Sequence, residues 1–105
     1  VNCDDRIIRY IDVIGDGSSY TVRKQYTDAV DRKKWNVCCF SSNGEYICAA
    51  SAKEHIIYIW QRCYERSFEQ VLKPKRQDSF VVDMVWHPVQ PILVSVTQSG
   101  EIQIW

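Results

Sequence analysis

The sequence lacks every feature that marks a membrane span, a metal site or a hydrolytic centre. No apolar run approaches the roughly 20 residues that a membrane helix needs, and no basic-then-apolar leader stands at the start. Net charge is also missing, because 13 Lys and Arg balance 13 Asp and Glu. Attraction to nucleic acid or an anionic membrane then has to come from a local patch. Histidine is scarce: His55 and His87 stand at no recognisable spacing from a Cys pair, whereas a zinc site needs about four convergent donors. No acid/base pair, phosphate-cradling Gly loop or Ser-His-Asp pattern occurs. These absences argue against an enzyme, and neither a cofactor nor a catalytic residue is assigned.

What is present is a globular composition, with 46% hydrophobic, 12% aromatic and 25% charged residues. The five cysteines, Cys3, Cys38, Cys39, Cys48 and Cys63, are odd in number, contain no Cys-x-x-Cys pair and sit mostly in apolar runs. They read as small hydrophobes of a protein kept reduced, in cytosol or nucleus. The Cys38-Cys39 dipeptide points its side chains to opposite faces of a strand and has no base at a recognisable spacing, so core packing is the expected role. Asp83 alternates with Val82 and Met84 and is a candidate buried carboxylate bonded to backbone. Trp60 and Trp105 are expected core anchors, and His87-Pro88 closes a strand.

The strongest positive signal is an internal repeat. VCCFSSNGEYICAAS (37–51) aligns with DMVWHPVQPILVSVT (83–97), and IIYIW (56–60) with EIQIW (101–105), giving a period of about 45 residues, within the range of WD propeller blades. RIIRYID (6–12) is a third echo. Alternation and buried apolar runs predict nine strands, over 6–11, 20–25, 35–40, 46–51, 56–61, 67–72, 80–86, 92–96 and 101–105. Ile102 and Ile104 alternate strictly with Glu101 and Gln103, as in a half-buried strand. Asn43-Gly44 and Ser99-Gly100 mark turns. Tyr64, Phe68, Val71 and Leu72 recur at helical spacing, yet the repeat needs a fourth strand before residue 80, and consistency across levels favours a strand over 67–72.

At CCFSSNGEYICAASAKEHIIYIW and DMVWHPVQPILVSV the chain resembles the retinoblastoma-binding WD-repeat family, propeller subunits of the COMPASS and MLL histone lysine-four methyltransferase complexes. The likeness starts at DRIIR (5–9), weakens between about 12 and 31, and then runs to the end. It implies an all-β fold, a partial β-propeller of about two to three blades of antiparallel four-stranded sheet. Residues 1–34 would be the outer strands of one blade plus an insertion loop, 35–72 a complete blade, and 73–105 the first three strands of the next. The chain would then be the last part of a seven-bladed propeller, cut at both ends, with the remainder of the propeller missing. Neither inner strand is preceded by Gly-His and neither blade has Asp in the turn before its Trp-bearing strand, which argues against the family's Trp-Ser-Asp-His network while leaving the fold reading intact.

The resemblance further implies a nuclear, non-catalytic scaffold whose partners are a SET-domain methyltransferase, the other complex subunits and nucleosomal DNA, with no membrane contact. The alternative is a WD scaffold of another complex, such as a ubiquitin-ligase adaptor, with a thiol or metal enzyme third. The basic residues carry the candidate contact. Arg23, Lys24, Arg32, Lys33 and Lys34 flank one outer-to-inner connection, and Lys73, Lys75 and Arg76 flank the next. Successive connections of this kind leave a propeller on one face, where the clusters would form a positive patch; the residues expected to bind partners are Lys24, Arg32, Lys33, Lys34, Lys73, Lys75 and Arg76. Solvated surface charge is the plain alternative.

Overall fold

The computed structural model describes residues 1–27, 34–53, 55–62, 69–73 and 79–105. All regular structure among them is β, in three antiparallel sheets. β1 (Ile8–Ile14) and β2 (Ser19–Tyr26) form the first. The second runs in chain order through β3 (Trp35–Phe40), β4 (Tyr46–Ser51), β5 (Ile57–Gln61) and β6 (Glu69–Leu72). β7 (Val81–Trp86), β8 (Leu93–Thr97) and β9 (Ile102–Ile104) form the third. Each predicted strand has a counterpart within a few residues. The helical spacing around Tyr64 gives way to strand at Glu69–Leu72, and the earlier residues 63–68 lie outside the described set.

Turn chemistry sets the hairpins. Between β3 and β4, Asn43 Oδ1 accepts the Ser41 hydroxyl at 2.8 Å and the Glu45 amide at 3.1 Å. Gly44 takes a φ of +72°, a conformation that an L side chain adopts only at a cost. Bulges open three strands, at Arg23 in β2, Asn36 in β3 and Val82 in β7. Asn36 and Val82 occupy the same place in the sequence repeat. The bulge at Asn36 turns its amide across the gap, where Nδ2 donates to the Val81 carbonyl at 2.7 Å, an instance of a bulge re-aiming a side chain.

The second sheet is apolar on both faces, so β4 and β5 read as continuous hydrophobic runs. Toward the first sheet it presents Ile47, Ala49, Tyr58 and Trp60, packed with Ile8, Tyr26, Trp35 and Ile56. Toward the third it presents Cys48, Ala50, Ile57 and Ile59, packed with Val81, Met84 and Leu93. Trp60, 2% exposed, lies 5.4 Å from Trp35 and 5.5 Å from Tyr26 between ring centroids.

Two expectations are corrected. Asp83 is exposed rather than buried, and its carboxylate accepts the adjacent Met84 amide at 2.8 Å. The bulge at Val82 resets the alternation at the start of β7, which turns Met84 rather than Asp83 into the core. Ile102 and Ile104 are each 66% exposed, because Trp105 and not the isoleucines packs toward the second sheet. Trp105 itself is half-buried rather than a fully enclosed anchor. His87 acts as expected: its Nδ1 accepts the Val89 and Gln90 amides at 3.1 and 3.0 Å, closing the turn after β7.

Candidate functional site

Antiparallel register places Lys34 and Lys73, the described residues that border the two outer-to-inner connections, at one end of the second sheet. Trp35 pairs with Ser51, Ala50 with Ile57, and Ile57 with Leu72, so Lys34 before β3 and Lys73 after β6 emerge together from the second sheet. They stand on its inner and outer strands, three inter-strand spacings or roughly 14 Å apart. Both are exposed. The Ala52 amide donates to the Lys34 carbonyl at 2.8 Å, which brings exposed Lys53, in the β4–β5 turn, next to Lys34. The sequence pattern does not single out Lys53, because one Lys in a polar turn carries no signal until the register is known. Arg32, Lys33, Lys75 and Arg76 lie outside the described residues.

The other basic groups behave differently. Lys24 is half-buried, its Nζ 5.5 Å from the Tyr26 ring centroid, so its charge sits beside an aromatic face. Arg23 is withdrawn from the cluster: Nε donates to Asp12 Oδ2 at 2.6 Å, on the face of β1 and β2 where Tyr10 Oη donates to Asp12 Oδ1 and Arg62 Nη1 donates to Tyr10 Oη. The Arg23 hydrogen bond, helped by that from Tyr10, holds the Asp12 carboxyl below the usual carboxylate range. Asp5 is held low in the same way by Arg9. Of the described lysines, Lys34, Lys53 and Lys73 are exposed at this end of the second sheet, and Lys24 is half-buried.

A hydrogen-bonded chain links the second and third sheets at this same end. His55, 1% exposed in the β4–β5 turn, bonds through Nε2 to Ser95 Oγ at 3.0 Å, and Ser95 Oγ also accepts the Trp105 indole N–H at 3.0 Å. The His55 and Trp105 rings meet edge to face at 5.8 Å. The arrangement is a Trp-Ser-His chain without the Asp of the family network, and its histidine comes from the neighbouring sheet instead of from a Gly-His before the inner strand. Burial holds the His55 imidazole below its ordinary value, opposed in part by Glu101. This chain ties sheets together and presents no open site.

At the other end a cleft of about 470 Å³ opens between the second and third sheets, with Tyr46, Ile59, Gln61, Trp86 and Pro91 among its walls. Among the described residues no three His, Cys, Asp or Glu converge to hold a metal ion. No helix among them is long and apolar enough to cross a membrane.

No family model matches the chain. Individual proteins do. It is 40% identical to the retinoblastoma-binding protein 5 homolog of Drosophila melanogaster, over all of this chain and 22% of that protein. It is 38% identical to the Set1 complex component swd1 of Schizosaccharomyces pombe, over 99% of this chain and 26% of the relative. The crystal structure of the Myceliophteria thermophila Cps50 (Swd1) β-propeller domain superposes with a TM-score of 0.83 at 28% identity, covering 99% of this chain and 35% of that one. The chain spans about a fifth to a quarter of the length of these curated relatives. Along its whole length it belongs to the retinoblastoma-binding protein 5 and Swd1 family, as part of that family's WD-repeat β-propeller.

Proposed function

We propose that this chain is a segment of a non-catalytic scaffold subunit in a COMPASS/MLL-type histone lysine-four methyltransferase complex, acting in the nucleus, with the methyl transfer performed by a SET-domain partner. The observation that carries this reading is the similarity, along 99% of this chain, to part of a protein named as a Set1 complex component. The three sheets are then the outer half of one blade, one whole blade, and the first three strands of the next, and the exposed isoleucines of β9 face a further blade. The end that bears Lys34, Lys53 and Lys73, with Arg32 and Lys33 preceding Lys34 in sequence and Lys75 and Arg76 following Lys73, is the surface offered to nucleosomal DNA or to an acidic partner subunit, since clustered cations release counterions from a phosphate backbone.

The test is affinity purification of the full-length protein that contains this chain, followed by a methylation assay on nucleosomes. Co-purification of a SET-domain subunit, with lysine-four methylation that depends on the tagged protein, is expected. Recovery of ubiquitin-ligase subunits in its place would overturn the reading.

A further inference from the structure

Cys39 on β3 and Cys48 on β4 are directly opposed partners in the second sheet. The Ser41 amide donates to the Tyr46 carbonyl at 2.9 Å, and pairs in an antiparallel ladder alternate, so two residues further along Cys39 and Cys48 form a hydrogen-bonded pair with Cα atoms about 5.5 Å apart. That spacing lies inside the range of about 4.4–6.8 Å that a disulfide spans. Both thiols are free and both side chains face the third sheet, where each thiol perturbs the titration of the other. Cys48 is 0% exposed, while Cys39 is half-buried and reachable. The Trp86 indole N–H is buried with no partner in full hydrogen-bond geometry, and it stands close enough to both sulfurs to donate to either once it is charged.

We propose that Cys39 and Cys48 are a reversible redox pair, in which a hydroperoxide oxidises Cys39 and Cys48 resolves the product to a disulfide across β3 and β4. The Cys39 thiolate attacks one oxygen of the hydroperoxide. The O–O bond breaks, a sulfenic acid forms on Cys39, and the departing alkoxide or hydroxide takes the proton that Cys39 gave up. Cys48 sulfur then displaces hydroxide from the sulfenic sulfur, and its own proton leaves with that hydroxide as water. Two thiols and one hydroperoxide yield one disulfide, one alcohol (or water) and one water, and a dithiol reductant restores the thiols.

The order of events follows from the surroundings. The Cys48 thiol holds the Cys39 thiol below its ordinary range, against the effect of burial, whereas Cys39 and burial push the Cys48 thiol far above it. The thiolate is the nucleophile, so Cys39 attacks and Cys48 resolves. Cys38 is excluded because it faces the first sheet. Packing favours a disulfide over a bound thiophilic ion: Cys48 and Ala50 are fully enclosed, an ion between the sulfurs needs added volume, and a disulfide brings them closer.

The full-length protein with its partner subunits, exposed to graded hydrogen peroxide and digested without reduction after Lys and Glu, tests this. Cleavage after Glu45 separates the two cysteines, so mass spectrometry should find peptides 35–45 and 46–53 joined, and the link should disappear on reduction. Cys38→Ser should leave the link; Cys39→Ser and Cys48→Ala should each abolish it, with a sulfenic-acid-specific probe still labelling Cys39 in the Cys48→Ala protein. Trp86→Phe should slow that labelling about tenfold, as loss of a hydrogen bond to a charged sulfur implies. No link in the wild-type protein while Cys39 is sulfenylated, or a link through Cys38, would overturn the proposal; equal labelling rates with and without Trp86 would remove the indole from it.

Discussion

Trp60 is the residue whose loss the molecule should feel most, since it touches Trp35, Tyr26 and Tyr58 within 5.7 Å between centroids. Trp60→Ala should destabilise the intact propeller by roughly 3–5 kcal/mol, read as a lower denaturant midpoint. His55 gives a pH-dependent contribution. Its folded value is depressed below 6.5, so between the two values the unfolded chain binds the proton and the folded chain does not. The contribution is present above pH 6.5 and is lost as pH falls toward the folded value. Thermal midpoints should drop on acidification below pH 6.5, and His55→Gln should remove that component. At this scale the sequence is legible where a residue's role follows from its own strand, as for Trp60 and His87. It is illegible where the partner stands 40 positions away, as Ser95 does from His55, or where a bulge inverts the alternation, as at Asp83.

Elements were easier to read than residues because period-2 patterns and turn residues are local. Asn43-Gly44 announces its hairpin, and the geometry explains why: Gly44 stands at positive φ with nothing within 4 Å of where a Cβ would sit. Gly44→Ala should therefore cost about 1–2 kcal/mol from backbone conformation alone, measurable by denaturation against the parent. Glu69–Leu72 shows the opposite case, where the helical spacing that includes Val71 and Leu72 is overruled by pairing with β5, as Tyr58 meets Val71 and Ile57 meets Leu72. Bulges escaped the sequence reading, since neither Asn36 nor Val82 carries a residue type that marks one.

For the whole molecule the relevant quantity is charge at the β3 and β6 ends. If Lys34, Lys53 and Lys73 each neutralise one phosphate, reversing all three to Glu should flatten the slope of log affinity against log salt by up to about 3 for duplex DNA, measured as nucleosome binding by the assembled complex, with folding unchanged. An unaltered slope with intact assembly would return the three lysines to solvated surface charge. The sequence points to this end through its two clusters, of whose candidate partner-binding residues only Lys24, Lys34 and Lys73 are described. That Arg23 leaves it and Lys53 joins it is not visible there, because both depend on register.

The two-faced burial of the second sheet has a consequence for how the chain finds its register. A strand with one dry face is indexed by its own polarity, since a slip of one residue would turn polar groups inward. β4 lacks that index: a one-residue slip exchanges Ile47 and Ala49 for Cys48 and Ala50, and both sets are apolar. Only side-chain size and the turn at Ser41–Glu45 distinguish the two alignments. The information that aligns this sheet is therefore stored mainly in its connecting turn, and a single inserted residue there would yield a sheet that is compact, dry and wrongly indexed.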